Sequence, residues 1–243
     1  MRKFGGKILK KNKSGTITYT YDKEKLSSDV PPTKYIKEIE NHFNKVFPGH
    51  KCTVFHEIAS EVVHIDVHIL TPNEKEPFYI LYTTGMSDLP MTMPEQIPEE
   101  MKEELQYAEM MIFLPEYWDF SHLSQCEDNY FPIRLLKALA RFPHIYHSWL
   151  GYGHTIASDM NYTPYAENTG LNASFLYQLK NGISEMKTKD GNIINFYFIV
   201  PIYKEEVEYK LEYGADALLE KLDVLEEELL FLNPQRINTC ARK

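Results

Sequence analysis

The stretch Ile193-Ile194-Asn195-Phe196-Tyr197-Phe198-Ile199-Val200 constrains the fold more than any other in the chain. It is nearly all apolar and aromatic, so a strand formed from it needs cover on both faces. Asp190-Gly191 precedes it, a dipeptide suited to the tight turn of a β-hairpin, and residues 183–188 supply the other arm. The reading is a hairpin whose second strand lies centrally in a sheet. Upstream, Val63-His64-Ile65-Asp66-Val67-His68-Ile69 alternates apolar and polar residues, the period of a half-buried strand. Phe78–Thr84 reads as its hairpin partner across a loop containing Pro72, Asn73 and Pro77.

Helical spacing appears between these strands. Ile36, Ile39, Phe43 and Val46 recur on one face, with Pro31-Pro32 before them, Thr33 as N-cap and Pro48-Gly49 as the stop. Glu99, Glu100, Glu103 and Glu104 suit the start of a short helix. A longer helix begins near Asn129 or Pro132. Ile133, Leu136 and Ala140 form its stripe beside Leu135 and Leu139, leaving Arg134, Lys137 and Arg141 to solvent. Asp216–Leu232 reads as an acidic amphipathic helix with Leu218, Leu222, Leu225 and Leu229 inward. Ala108–Leu114 fits strand or helix, and Leu171–Leu179 is strand-like.

Interspersed strands and helices with prominent hairpins define an α+β class, with a central mixed, largely antiparallel sheet flanked by helices. Residues 1–30, Lys-rich with a Thr/Tyr alternation from Thr16 to Tyr21, are expected as an N-terminal arm or peripheral strand, and residues 31–243 as one domain.

A net charge of −9 disfavours a general nucleic-acid binder and is compatible with a basic protein partner. Cys52, Cys126 and Cys240 lie far apart and match neither a CxxC pair nor a disulfide framework. With no apolar run of signal-peptide or membrane-span length, the expectation is a soluble, unexported, cytoplasmic protein without membrane contact.

Chemistry-bearing residues cluster in three places. His64, Asp66 and His68 share a strand face, with His56 and Glu57 upstream. A metal-dependent hydrolase built on His56, Glu57, His64, Asp66 and His154 is one reading. At strand rise, however, His64 and His68 stand roughly 13 Å apart, too far to grip one zinc ion. Hydrogen-bonded histidines on a polar face are the simpler reading, and no metal or cofactor is assigned. Gly85-Met86-Ser87-Asp88 follows a strand but lacks the G-x-S-x-G pattern of a nucleophile turn. It reads as a structural turn, with Gly85 supplying unusual dihedrals and Asp88 capping local amides. Gly151-Tyr152-Gly153-His154-Thr155 is wrongly spaced for a dinucleotide loop and reads as a tight turn beside Trp149.

The order of short motifs is more specific. Phe55-His56-Glu57-Ile58 with Ser60 and Val63–Val67, then Thr84-Gly85-Met86-Ser87-Asp88-Leu89-Pro90-Met91, then Ala108-Glu109-Met110-Met111 with Leu114-Pro115 and Trp118, resemble successive blocks of the Suppressor of fused-like family. Phe131-Pro132-Ile133 with Ala140-Arg141-Phe142-Pro143, Trp149–Thr155, and Asn195–Gly214 continue the match, so the resemblance spans roughly residues 30–240. One departure is Phe131, where the family pattern leads one to expect tryptophan.

The resemblance implies a non-enzymatic α+β domain that binds protein. It further implies, for a bacterial member, an immunity protein that neutralises a cognate toxin, such as a basic nuclease, by stoichiometric binding. A regulatory scaffold for a cellular protein is the other binding role it admits. The candidate motif or partner-binding residues are His56, Glu57, His64, Asp66, Gly85, Ser87, Asp88, Glu109, Trp118, Trp149, His154 and Thr155.

Overall fold

A computed structural model describes residues 6–20, 33–57, 60, 62–123, 125–180 and 182–241. The expectations for Tyr21, for Pro31-Pro32 and for Ile58 fall outside these residues. Two strands, β1 (Lys7–Lys11) and β2 (Ile17–Thr20), form a separate antiparallel hairpin. The main sheet comprises β3 (Cys52–Phe55), β4 (Asp66–Leu70), β5 (Phe78–Thr84), β6 (Tyr107–Pro115), β7 (Thr155–Ala157), β8 (Ala173–Tyr177), β9 (Glu185–Lys187) and β10 (Ile193–Ile202). Its order is β3-β4-β5-β6-β10-β8-β7, with β9 pairing the start of β10. Only the β6–β10 pair is parallel among these ladders, so the sheet is mixed and largely antiparallel, as the hairpin-rich sequence implies.

The apolar run at β10 is explained by its neighbours. It pairs with β6 on one side and with β8 and β9 on the other, and successive residues feed opposite cores. Tyr197 and Ile199 join Val67, Leu81, Met110 and Ile112 beneath α3 (Glu127–Ile145), whose Ile133 and Leu136 close that layer. Phe196, Phe198 and Val200 join Tyr82 and Phe113 on the other face. That face is covered by α1 (Ile36–Val46) through Ile39 and Phe43, by α4 (Lys204–Tyr213) through Val207, and by α5 (Ala215–Leu222) through Leu218 and Leu222. A three-layer sandwich results, with α2 (Glu99–Leu105) leading into β6.

Several local expectations change. The strand in Val63–Ile69 begins only at Asp66 and is buried on both faces, because β4 lies between β3 and β5 with helices above and below. Tyr35, rather than Thr33, occupies the N-cap of α1, and its side chain makes no cap hydrogen bond. Ala108–Leu114 is strand β6. Asp216–Leu232 is not one helix: α5 ends at Leu222 and tightens into a 3-10 segment, Asp223–Leu229, before Phe231 bridges to Phe113. Leu218, Leu222 and Leu225 still point inward. Lys137, expected in solvent, is only 8 % exposed.

Candidate functional site

Three motif blocks meet at the turn after β5. Gly85 adopts φ +106°, and a β-carbon there would lie 1.8 Å from the carbonyl oxygen of His64. Only glycine fits, because both the left-handed backbone and the close approach exclude a side chain. The 3-10 turn Met86–Asp88 that follows is pinned by Glu109 of β6. Glu109 accepts hydrogen bonds from the Thr83 hydroxyl at 2.6 Å, the Gly85 amide at 3.0 Å, the Ser87 amide at 3.0 Å and the Ser87 hydroxyl at 2.6 Å. Burial pushes the Glu109 carboxyl up to about 7, while the donors from Ser87 and Thr83 pull the other way. His144 of α3 places Nε2 2.9 Å from the Met86 carbonyl, which can only accept, so that nitrogen carries the proton.

Asp88 caps amides, but not local ones: its Oδ1 accepts the Lys34 N–H at 2.7 Å, at the entrance to α1. Burial raises its pKa, and the Lys34 and Tyr35 amides oppose that rise. Beyond the turn, the Leu150 amide donates to Met91 Sδ at 3.3 Å, tying the second block to the fifth, and the Thr92 amide beside it donates to the Ser148 carbonyl at 2.9 Å.

A second polar knot lies at the end of β3. Asp66 accepts the Glu57 amide at 2.9 Å, and its oxygens lie 3.0 Å from His56 Nδ1 and 3.0 Å from His64 Nε2. Glu57 accepts the Ile65 amide at 3.0 Å and the Ser60 hydroxyl at 2.8 Å, and its other oxygen pairs with the Arg141 guanidinium. His56, Glu57, His64 and Asp66 are thus brought together, while His68 is not among them. It stacks on Tyr82 at 4.7 Å, meets Thr84 Oγ1 at 3.1 Å, and is lowered to about 4 by burial. Every oxygen of Glu57 and Asp66 already has a partner from the protein itself. Among the described residues, no group of three or more His, Cys, Asp or Glu is disposed to hold a metal ion.

The fifth block forms a packed turn. A β-carbon on Gly151 would meet the Trp149 ring at 2.7 Å, and the His154 ring packs edge-on to Trp149 at 4.5 Å. Burial, with Lys210 nearby, lowers His154 to about 4. Thr155 opens the edge strand β7. Trp118 donates from Nε1 to the Asn129 carbonyl at 3.1 Å, at the start of α3.

Sequence reasoning missed a buried ion pair. Glu206 of α4 takes Arg236 in a two-pronged contact at 2.8 and 2.6 Å, and also accepts the Tyr203 and Thr239 amides. Arg236 donates on to the Pro201 carbonyl at 2.9 Å, fastening the C-terminal segment to the end of β10. Glu206 reaches back to the Tyr203 amide at the start of α4, but tyrosine is not a residue type that announces a helix N-cap, so no local signal marked the pair.

The fold and these knots define a sheet-centred α+β domain whose motif residues hold its turns together. The family model described as Suppressor of fused protein matches residues 61–237. The chain belongs to that family. Among solved structures, it is similar to a Suppressor of fused homologue from Neisseria gonorrhoeae (TM-score 0.62, 16 % identity, 86 % of this chain and 98 % of that one). It is also similar to a chain in the Sufu-Fu complex (TM-score 0.58, 16 % identity, 86 % and 93 % covered) and to Drosophila Suppressor of Fused (TM-score 0.58, 14 % identity, 86 % and 52 % covered). No match is found among curated proteins. Among the described residues, no helix is long and apolar enough to cross a membrane.

Proposed function

We propose that this chain is a non-catalytic protein-binding domain, and that its partner is a bacterial toxin that it neutralises by one-to-one binding. The observation that carries the binding reading is its place in a family with a solved complex, Sufu-Fu. The chemistry of the polar residues supports it. A hydrolytic carboxylate needs an oxygen free for water, substrate or metal. Glu57, Asp66 and Glu109 instead spend their oxygens on amides, hydroxyls, imidazoles and Arg141. The step to a toxin extends the role that the family resemblance implies for a bacterial member, and a net charge of −9 suits a basic nuclease surface.

Co-expression with the protein encoded by the neighbouring gene tests this reading. The expected result is rescue from its toxicity and a stable equimolar complex. Failure to rescue or to form a complex overturns the toxin assignment. Turnover of a hydrolysable substrate, abolished by chelators, overturns the binding role itself.

A further inference from the structure

Beside the Glu57–Arg141 pair lies a groove of about 450 Å³, between the end of β3 and one face of α3. Phe55 and Tyr130 form aromatic walls, and Arg134, Lys137 and Arg141 line the helix side. The three cations are not equivalent. Arg141 is matched by Glu57, and Arg134 by Glu127 at 2.5 Å together with the Tyr165 carbonyl. Lys137 is 8 % exposed, and its ammonium lies 4.7 Å over the Phe55 ring, with no carboxylate within ion-pair distance among the described residues. Asp66 is near enough to act on it, but its oxygens are occupied by His56, His64 and the Glu57 amide. Burial disfavours its charge and lowers its pKa. A desolvated ammonium against an aromatic face, in an open groove, is a receptor for a carboxylate.

The groove ends at a strand edge. β3 is terminal in the sheet and pairs only with β4 among the described residues, with Cys52 and Thr53 exposed. An edge strand presents unpaired backbone donors and acceptors along one side, which an extended peptide can complete. We propose that an extended segment of a protein partner pairs with β3 and places an Asp or Glu side chain in the groove, against Lys137. This rests on the protein-binding reading and gives it a surface and a recognition chemistry. An acidic segment suits this one site although the chain as a whole is acidic, because the neighbouring carboxylates Glu57, Asp66 and Glu127 are each already paired.

The test is to pan a random dodecapeptide library on the full chain and measure the affinity of the enriched peptides. Enriched peptides are expected to carry Asp or Glu. Changing that residue to Asn or Gln, or Lys137→Gln in the protein, weakens binding about ten-fold, and Lys137→Arg retains it. Amide NMR shifts on peptide addition centre on Cys52–Phe55. Peptides without an acidic residue, indifference to Lys137→Gln in a variant that folds normally, shifts elsewhere, or no enrichment at all overturns the proposal. If the neighbouring gene product still binds in that case, the groove fails while the protein-binding reading stands.

Discussion

The carboxylate of Glu109 accepts both the amide and the hydroxyl of Ser87, at 3.0 and 2.6 Å, in a site with no solvent exposure. The two residues come from separate motif blocks, and their contact fixes the Gly85–Asp88 turn to the centre of the sheet. Replacing Glu109 with Gln puts an amide NH2 where donors already converge. We expect a loss of about 2–3 kcal/mol, since a buried donor left unsatisfied costs its full desolvation. Urea denaturation at pH 7 measures it, and an unchanged midpoint would remove Glu109 from this role.

Gly85→Ala combines a left-handed φ with a collision against the His64 carbonyl. Gly182 also has positive φ, at +74°, but a β-carbon there has nothing within 4 Å. Gly182→Ala should cost about 1 kcal/mol from backbone strain alone, and Gly85→Ala more than about 4 kcal/mol. Equal losses in denaturation would show that the close approach to His64 does not matter.

The response to pH follows from groups that shift in opposite senses. Glu109, pushed up to about 7 from 4.5, binds its proton more tightly in the fold, so its contribution is full at low pH and falls as pH rises from 4.5 to 7. His68 and His154, lowered from 6.5 to about 4, are held neutral, so theirs is full above pH 6.5 and lost as pH falls toward 4. Two groups oppose one, so stability should rise between pH 4.5 and 6.5. The rise should steepen in Glu109→Gln. Thermal midpoints across that range check this; a midpoint falling with pH contradicts it.

Removing Arg236 strands the Glu206 charge in the interior. Arg236→Ala is expected to cost about 3–5 kcal/mol, the usual penalty for breaking a buried pair. Arg236→Lys should recover only part, because an ammonium cannot reproduce the two-pronged contact. Hydrogen exchange at Thr239 and Cys240 should accelerate in both variants; protection equal to the parent chain would show that the pair does not hold the C-terminal segment.

What the sequence made legible was local. Asp190-Gly191 announced the β9–β10 hairpin, and the β4–β5 pairing followed from two apolar runs around a proline-containing loop. Lys137 was misplaced because helical periodicity assigns a lysine to the wet face by type, whereas its aliphatic stem can lie along Phe55. Helix α4 went unread because Glu206 and Lys210 occupy its buried face, which erases the apolar stripe. The Arg236–Glu206 pair spans 30 positions and leaves no periodic trace. At the candidate site, the ordered blocks identified Gly85, Ser87 and Glu109, but not that Glu109 and His144 converge on the turn they form, and His144 lies outside every block. That convergence depends on strand order and helix placement, which a single chain of letters does not state.

Whether this chain acts by binding a protein is decided by isothermal titration of the purified chain with the protein encoded beside its gene. The expected result is saturable binding at a one-to-one ratio, with inhibition of the partner's toxic activity at the same ratio. Absence of binding, together with substoichiometric inactivation of the partner by turnover, would contradict it.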